Sequence, residues 1–382
     1  MYSQWNLGEM YEEGRGVKQS YEEAALWFRK LANQGDDDGQ YKMGTIYRDG
    51  RGVAQDDSKA VHWFKLAAEQ GGASAQFKMG FMFENGLGVE QSYAEAAHWF
   101  KLAAEQGDSA SQCKLGYMFE NGFGVEQSYV EALHWFKLAA EQGQKIAQCK
   151  LGYSFEYGHG LEQSSAEAAR WFKLAAEQDY GLAQYRLGLA HENGRGVVQS
   201  YVKAARWYQR AAEQGSDDAQ CKMGLLCSAG HGVAQNDEEA ARWFRLAADQ
   251  EHATSQCELG CLFENGLGVM QSYEEAMRWY KMAADRGNVN AQMSIGLLFC
   301  KGRGVDQSFE ETARWTKMAA DQGAASAQFV LGSLFEEGDG VVQSNEEARR
   351  WYEKAAVQGH TGAQSKLESI RQGSLEFVHI DI

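Results

Sequence analysis

Four cysteines, Cys113, Cys149, Cys221 and Cys257, recur at one position of a 36-residue period, so disulfide or metal chemistry has to be weighed first. Equivalent positions on packed neighbouring helices lie about 8–10 Å apart. A disulfide needs Cα atoms within about 7 Å. These thiols are therefore expected to stay reduced and to act as small apolar filler. Cys257 and Cys261 stand i, i+4 with His252 nearby, but no fourth ligand follows and the spacing matches no zinc pattern. No metal site is expected.

A second series starts as His62, His98 and His134 and continues as Arg170, Arg206, Arg242, Arg278, Arg314 and Arg350. Most of these arginines have an acid three residues earlier, which reads as a solvated ridge of surface pairs. The recurring Gly-x-Gly turns invite a nucleotide-loop reading, yet they follow helical rather than strand patterns, so neither phosphate-loop context holds. No Ser/His/Asp or Cys/His arrangement nominates a nucleophile. The chain is expected not to be an enzyme and to carry no cofactor.

One pattern exceeds what packing requires. The first helix of each repeat carries a second apolar face: Phe77/Phe81, Cys113/Tyr117, Cys149/Tyr153, Tyr185/Leu189, Cys221/Leu225, Cys257/Cys261 and Met293/Leu297. One turn on lie Glu84, Glu120, Glu156, Glu192 and Glu264. An amphipathic helix needs one apolar stripe, so a second implies a further covering surface. The first member of each pair could be hidden inside the array; the second member and the glutamates are expected to face a groove.

The elements that position these residues follow from the period. Trp27 and nine further tryptophans to Trp351 fall 36 residues apart, as do Gly8 and nine further glycines to Gly332. Such a period means a solenoid, propeller or array. In the third repeat, Ala75, Met79, Met82 and Phe83 mark an amphipathic helix ended by the glycines of Asn85-Gly86-Leu87-Gly88. Ser92 with Glu95 reads as a capping box opening a second helix whose stripe is Ala96, Trp99, Phe100 and Ala103. Nothing alternates with a period of two. The fold class is all-α: ten helix-pair repeats over residues 1–360, a capping helix at 361–372, and a flexible tail at 373–382.

The motifs Leu115-Gly116-Tyr117-Met118-Phe119, Gly122-Phe123-Gly124-Val125 and Ala132 through Gly143 resemble the Sel-one-like repeat family, a relative of the tetratricopeptide repeat. The resemblance implies a right-handed α/α superhelical solenoid whose first helices line a concave surface, and it implies adaptor proteins that hold complexes together. The family commonly has proline after its Gly-x-Gly-Val turn, whereas this chain contains 0 prolines. Its secreted cysteine-rich members bridge the second helix of one unit to the first helix of the next; here the second-helix side is alanine, as at Ala104, Ala140 and Ala212.

The charge is −16, from 53 acids against 37 bases, so no basic footprint for nucleic acid exists. No stretch reaches the roughly 20 apolar residues of a membrane span, and no signal peptide is visible, which suggests a cytoplasmic protein. The function expected is a scaffold holding, in its groove, a partner segment with apolar and basic side chains. The contact residues expected are Phe77, Phe81, Glu84, Tyr117, Glu120, Tyr153, Glu156, Tyr185, Leu189, Glu192, Leu225 and Leu297. The alternative is a secreted host-acting or hydrolase-like repeat factor. Trp5, Met10 and Tyr11 have no preceding repeat to cover them, so weak self-association is also expected there.

Overall fold

A computed structural model describes residues 2–378, with side chains from 3 to 371. It holds 21 helices, and no strand occurs among the described residues. The first helix of a repeat is 13 residues long, as in α5 (Ala73–Asn85) and α7 (Ser109–Asn121), and so is the second, as in α6 (Tyr93–Glu105) and α8 (Tyr129–Glu141). Two compact units are present, Met1–Gln199 and Ser200–Ile382. Within each, every helix packs against the next in sequence, the nearest-neighbour pattern of a solenoid.

The turn between the two helices explains both of its glycines. Gly122 ends α7 with φ +72°, a left-handed conformation that glycine adopts freely. Gly124 is needed for closeness as well: a Cβ there would collide with the Tyr93 carbonyl at the start of the previous repeat's second helix. The second glycine thus lets the turn close on the backbone of the preceding repeat.

The serine caps form only half of the expected capping box. Ser92 Oγ accepts from the Glu95 amide at 3.2 Å, but the Ser92 amide donates to the Phe83 carbonyl at 3.0 Å. The glutamate has no amide left to reach for. In arginine-bearing repeats it turns to the ridge instead, as in Arg242–Glu239 at 2.8 Å and Arg350–Glu347 at 2.6 Å.

Phenylalanine or tyrosine, rather than tryptophan, fills the centre of every repeat but the ninth, where Thr316 stands. Phe28, Phe64, Phe100 and Phe136 are essentially inaccessible, whereas the tryptophans range from half-buried at the edges of their clusters (Trp63, Trp99 and Trp171) to buried with 5–9% of their surface exposed (Trp135, Trp279, Trp315 and Trp351). Burying each phenylalanine is worth about 2–3 kcal/mol. The repeated glycine makes room for it: a Cβ on Gly116 would lie 2.7 Å from the Phe136 ring.

A row of buried glutamines ties repeats together. Gln76 Nε2 donates to the Ala68 carbonyl at the end of the preceding helix, and its Oε1 accepts from Gln106 Nε2 at 2.7 Å. The pattern recurs at Gln112–Gln142 and Gln148–Gln178. Where the second glutamine is Arg286, that arginine pairs with Glu251 at 2.8 Å, and Gln256 Oε1 is left buried without a partner.

At the ends, Trp5 stacks edge-on against Phe28 at 5.2 Å, and Tyr11 packs on the same cluster. The last helix, α21, spans Thr361–Val378. It runs six residues past the end expected at Gln372, and Gly373 lies inside it rather than stopping it. The remainder of the expected tail, 379–382, lies outside the described residues.

Candidate functional site

The first helices of the unit Met1–Gln199 place most of the expected contact residues on one wall. Phe77 is half-buried with its ring 5.6 Å from Phe100, and Phe81 is likewise half-buried beside the core. Tyr117 is 40% exposed, with its ring 5.9 Å from Phe123. Cys113 and Cys149 are buried. First members are thus buried or half-buried, and among the second members only Tyr117 and Leu297 are exposed. Phe77, Glu84, Cys113 and Tyr117 meet Lys114, Ile146 and Lys150 around a cleft of about 540 Å³, a volume in the range of ligand pockets.

Tyr153 departs from the expected pattern. Its ring packs edge-on against Phe172 of the second helix at 5.3 Å, and its hydroxyl accepts from Arg186 Nε at 2.7 Å. Burial pushes the phenol up to about 12. It is part of the packing, where the second member of each pair was expected to face the groove. The exposed ring here is Tyr157, 53% accessible and stacked on Tyr153 at 6.2 Å. Sequence reasoning missed it. The available signal was a tyrosine where repeats on either side carry Asn85, Asn121 and Asn193.

Tyr157 borders a second cleft of about 480 Å³ with Glu156, Arg186, Leu189 and Asn193. Tyr185 and Glu192 are half-buried on the same helix, α11 (Gly181–Asn193). In the unit Ser200–Ile382, Leu225 is half-buried and Leu297 is 44% exposed.

The glutamates do not stand ready for a partner. Glu84 meets Lys114 at 2.8 Å, Glu120 meets Lys150 at 2.6 Å, and Glu156 lies 3.8 Å from Arg186. Glu12–Lys42 at 2.7 Å and Glu336–Lys366 at 2.8 Å continue the series. Each pair joins the first helices of successive repeats, 30 residues apart. The expected ridge of free acids is a ladder of ion pairs. Its basic half was legible as Lys42, Lys78, Lys114 and Lys150 at the repeat period.

The remaining chemistry is also accounted for. His252 caps α15 (Ala253–Asn265), its Nδ1 accepting from the Ser255 amide at 3.2 Å. All seven cysteines are free thiols. Burial pushes Cys113 up to about 11 and Cys149 and Cys257 up to about 12, so they are poor nucleophiles near neutrality. Among the described residues, no group of three or more His, Cys, Asp or Glu side chains could hold a metal ion, and no helix is long and apolar enough to cross a membrane.

The profile of the Sel1 repeat matches ten times, at residues 2–36, 37–72, 73–108, 109–144, 145–180, 181–216, 217–252, 253–288, 289–323 and 325–360. The chain belongs to the Sel1 repeat family. Among solved structures, c5321, a protective antigen present in uropathogenic Escherichia coli strains that displays an SLR fold, is 34% identical. That match covers 98% of this chain and 80% of the other, with a TM-score of 0.91. A Sel1 repeat protein from Oxalobacter formigenes is also 34% identical, over 64% of this chain and 99% of the other, with a TM-score of 0.56. No curated protein matches in sequence. Sel1 repeat solenoids generally mediate protein–protein interactions and are generally not enzymes.

The eighth Sel1 repeat breaks the ladder, with an acid in place of its base. Glu258 stands where Lys114 and Lys150 stand elsewhere, and the position facing it in the preceding repeat is Ser228. Burial raises the Glu258 pKa. Its folded value therefore lies above its unfolded one, the native state holds the extra proton between the two, and stability rises as pH falls through the folded value. Glu258→Gln is expected to raise the urea midpoint at pH 7, with the difference closing near pH 4. An equal difference at both pH values would contradict this assignment.

Proposed function

We propose that this Sel1 repeat chain is an interaction scaffold that binds a protein segment along its first-helix wall and acts by binding, without catalysis of its own. The observation that carries the reading is the cleft between α5, α7 and α9 (Lys145–Tyr157), where the exposed Tyr117 ring and Ile146 stand beside Phe77. Exposed aromatic side chains next to a pocket are the anchors that dominate interface energies. Because Glu84 and Glu120 are already paired, apolar anchors supply the affinity. The net charge of −16 favours approach of basic partners over long range.

A benzophenone crosslinker placed at Tyr117 tests the reading against one placed at His98, an exposed position of the His/Arg ridge. Discrete protein adducts should form from Tyr117. Adducts from His98 alone would put the binding face on the ridge and end the proposal.

A second reading has one observation behind it, the 34% identity to a chain described as a protective antigen of a pathogen. A protective antigen is reached by antibodies, so export of the present chain would fit a host-facing role. Recovery of the protein outside the producing cell would favour that reading, and strict retention in the cytosol would remove it.

A further inference from the structure

The ion-pair ladder has a step at which an acid is missing. At four junctions of the first unit the pattern is glutamate facing a base: Glu12–Lys42, Glu84–Lys114, Glu120–Lys150 and Glu156–Arg186. Between the second and third repeats the position of the glutamate is Arg48, and the base is still present as Lys78. Two cations therefore occupy a step built for one cation and one carboxylate.

The surroundings sharpen the mismatch. Arg48 turns aside to its chain neighbour Asp49 at 2.8 Å, and Asp49 also lies 3.9 Å from Arg51. Lys78 makes no such pair; its ammonium sits 5.8 Å from the centre of the Phe77 ring. It is half-buried, and its pKa is lowered first by desolvation and then by repulsion from Arg48, with Asp49 opposing. Asp49, the acid that opposes this, is already engaged by Arg48 and Arg51. A partly desolvated cation so short of counter-charge is costly, and a carboxylate arriving from outside would relieve it.

We propose that the Arg48–Lys78 step receives a side-chain carboxylate from a protein partner, which takes the place that Glu84 and Glu120 fill at the neighbouring steps. The fit to a carboxylate rests on the repeat itself: the same backbone positions hold a glutamate 2.6–2.8 Å from a lysine at four other junctions. Phe77 beside Lys78 and the half-buried Phe81 one turn on suit an apolar residue next to that acid. The inference rests on the first-helix wall being the binding face. It adds that an acidic position in the partner sets its register, although the protein as a whole is acidic.

The test uses the full chain with ¹³Cε-labelled lysine, followed by NMR, and a small probe: acetyl-phenylalanyl-glutamic acid amide, against its glutamine counterpart. The glutamic acid probe should shift the Lys78 signal saturably and bind about tenfold more tightly than the glutamine probe. Lys114, already held by Glu84, should not move. Arg48→Glu should abolish the Lys78 response and also raise the melting temperature, because it rebuilds the missing pair; Glu336 beside Glu337 shows that the ladder accepts an acid next to an acid. The higher melting temperature shows that the variant is folded and has gained the contact.

No saturable Lys78 shift in the wild type, or a lower melting temperature for Arg48→Glu, would overturn the proposal. Inorganic phosphate binding as well as the glutamic acid probe would overturn the carboxylate assignment. Loss of the probe response with Tyr117 crosslinks intact would remove this step and leave the binding wall standing; loss of the crosslinks removes the wall.

Discussion

Gly116→Ala is expected to destabilise the array by about 1–3 kcal/mol, and Gly296→Ala to leave it within about 1 kcal/mol of wild type. The two glycines hold the same place in their repeats. On Gly116 a Cβ would lie 2.7 Å from the ring of Phe136, which is fully buried and has no room to withdraw. On Gly296 it would lie 3.2 Å from Thr316 Oγ1, since threonine replaces the aromatic residue in that repeat. Alanine also improves helix propensity by about 1 kcal/mol over glycine, which offsets the tighter contact at Gly296 but not the collision at Gly116. Urea unfolding of the two variants reads the difference directly. Equal losses would mean that the glycine serves the backbone and not the ring.

Glu120→Lys is expected to cost about 1–2 kcal/mol, and adding Lys150→Glu to recover most of it. The native pair is 2.6 Å long, with about a quarter of each side chain's surface exposed (24% for Glu120 and 30% for Lys150). It is therefore screened less than a surface pair and more than a buried one. Reversing one partner sets two lysines against each other, and reversing both restores the attraction. The recovery is the decisive part, because a merely disruptive substitution is not rescued by a second one. Thermal melts at low and at high salt check it, the single variant's deficit shrinking as salt is added. A double variant no better than the single would show that Glu120 and Lys150 do not act as a pair.

The fold was legible because its signals are periodic and local. The spacing of Trp63 to Trp99 gave the repeat, the glycines at Gly122 and Gly124 gave the turn, and Ser92 gave the start of α6. The site was legible only as a face. That the exposed ring would be Tyr117 while Tyr153 packed against Phe172 depends on how each first helix rotates over its neighbour, which periodicity does not encode. The pairing of Glu84 with Lys114 crosses 30 residues and joins separate helices, so neither an i, i+4 rule nor a motif finds it; only the matching periods of the two rows hint at it. The half-formed cap at Ser92 was hidden for a similar reason. Its amide partner, the Phe83 carbonyl, belongs to the preceding helix and is brought there by the turn.

The most direct test of the account is the affinity of an isolated protein partner for two variants of equal helicity. Tyr117→Ala with Tyr157→Ala removes the two exposed rings of the first-helix wall, and should weaken binding by about 1–3 kcal/mol per ring if both are covered by the partner. His98→Ala with His134→Ala alters the opposite ridge and should leave the dissociation constant unchanged. A partner that tolerates the loss of both tyrosines and is released by the loss of the two histidines would place the binding surface on the ridge and contradict the account.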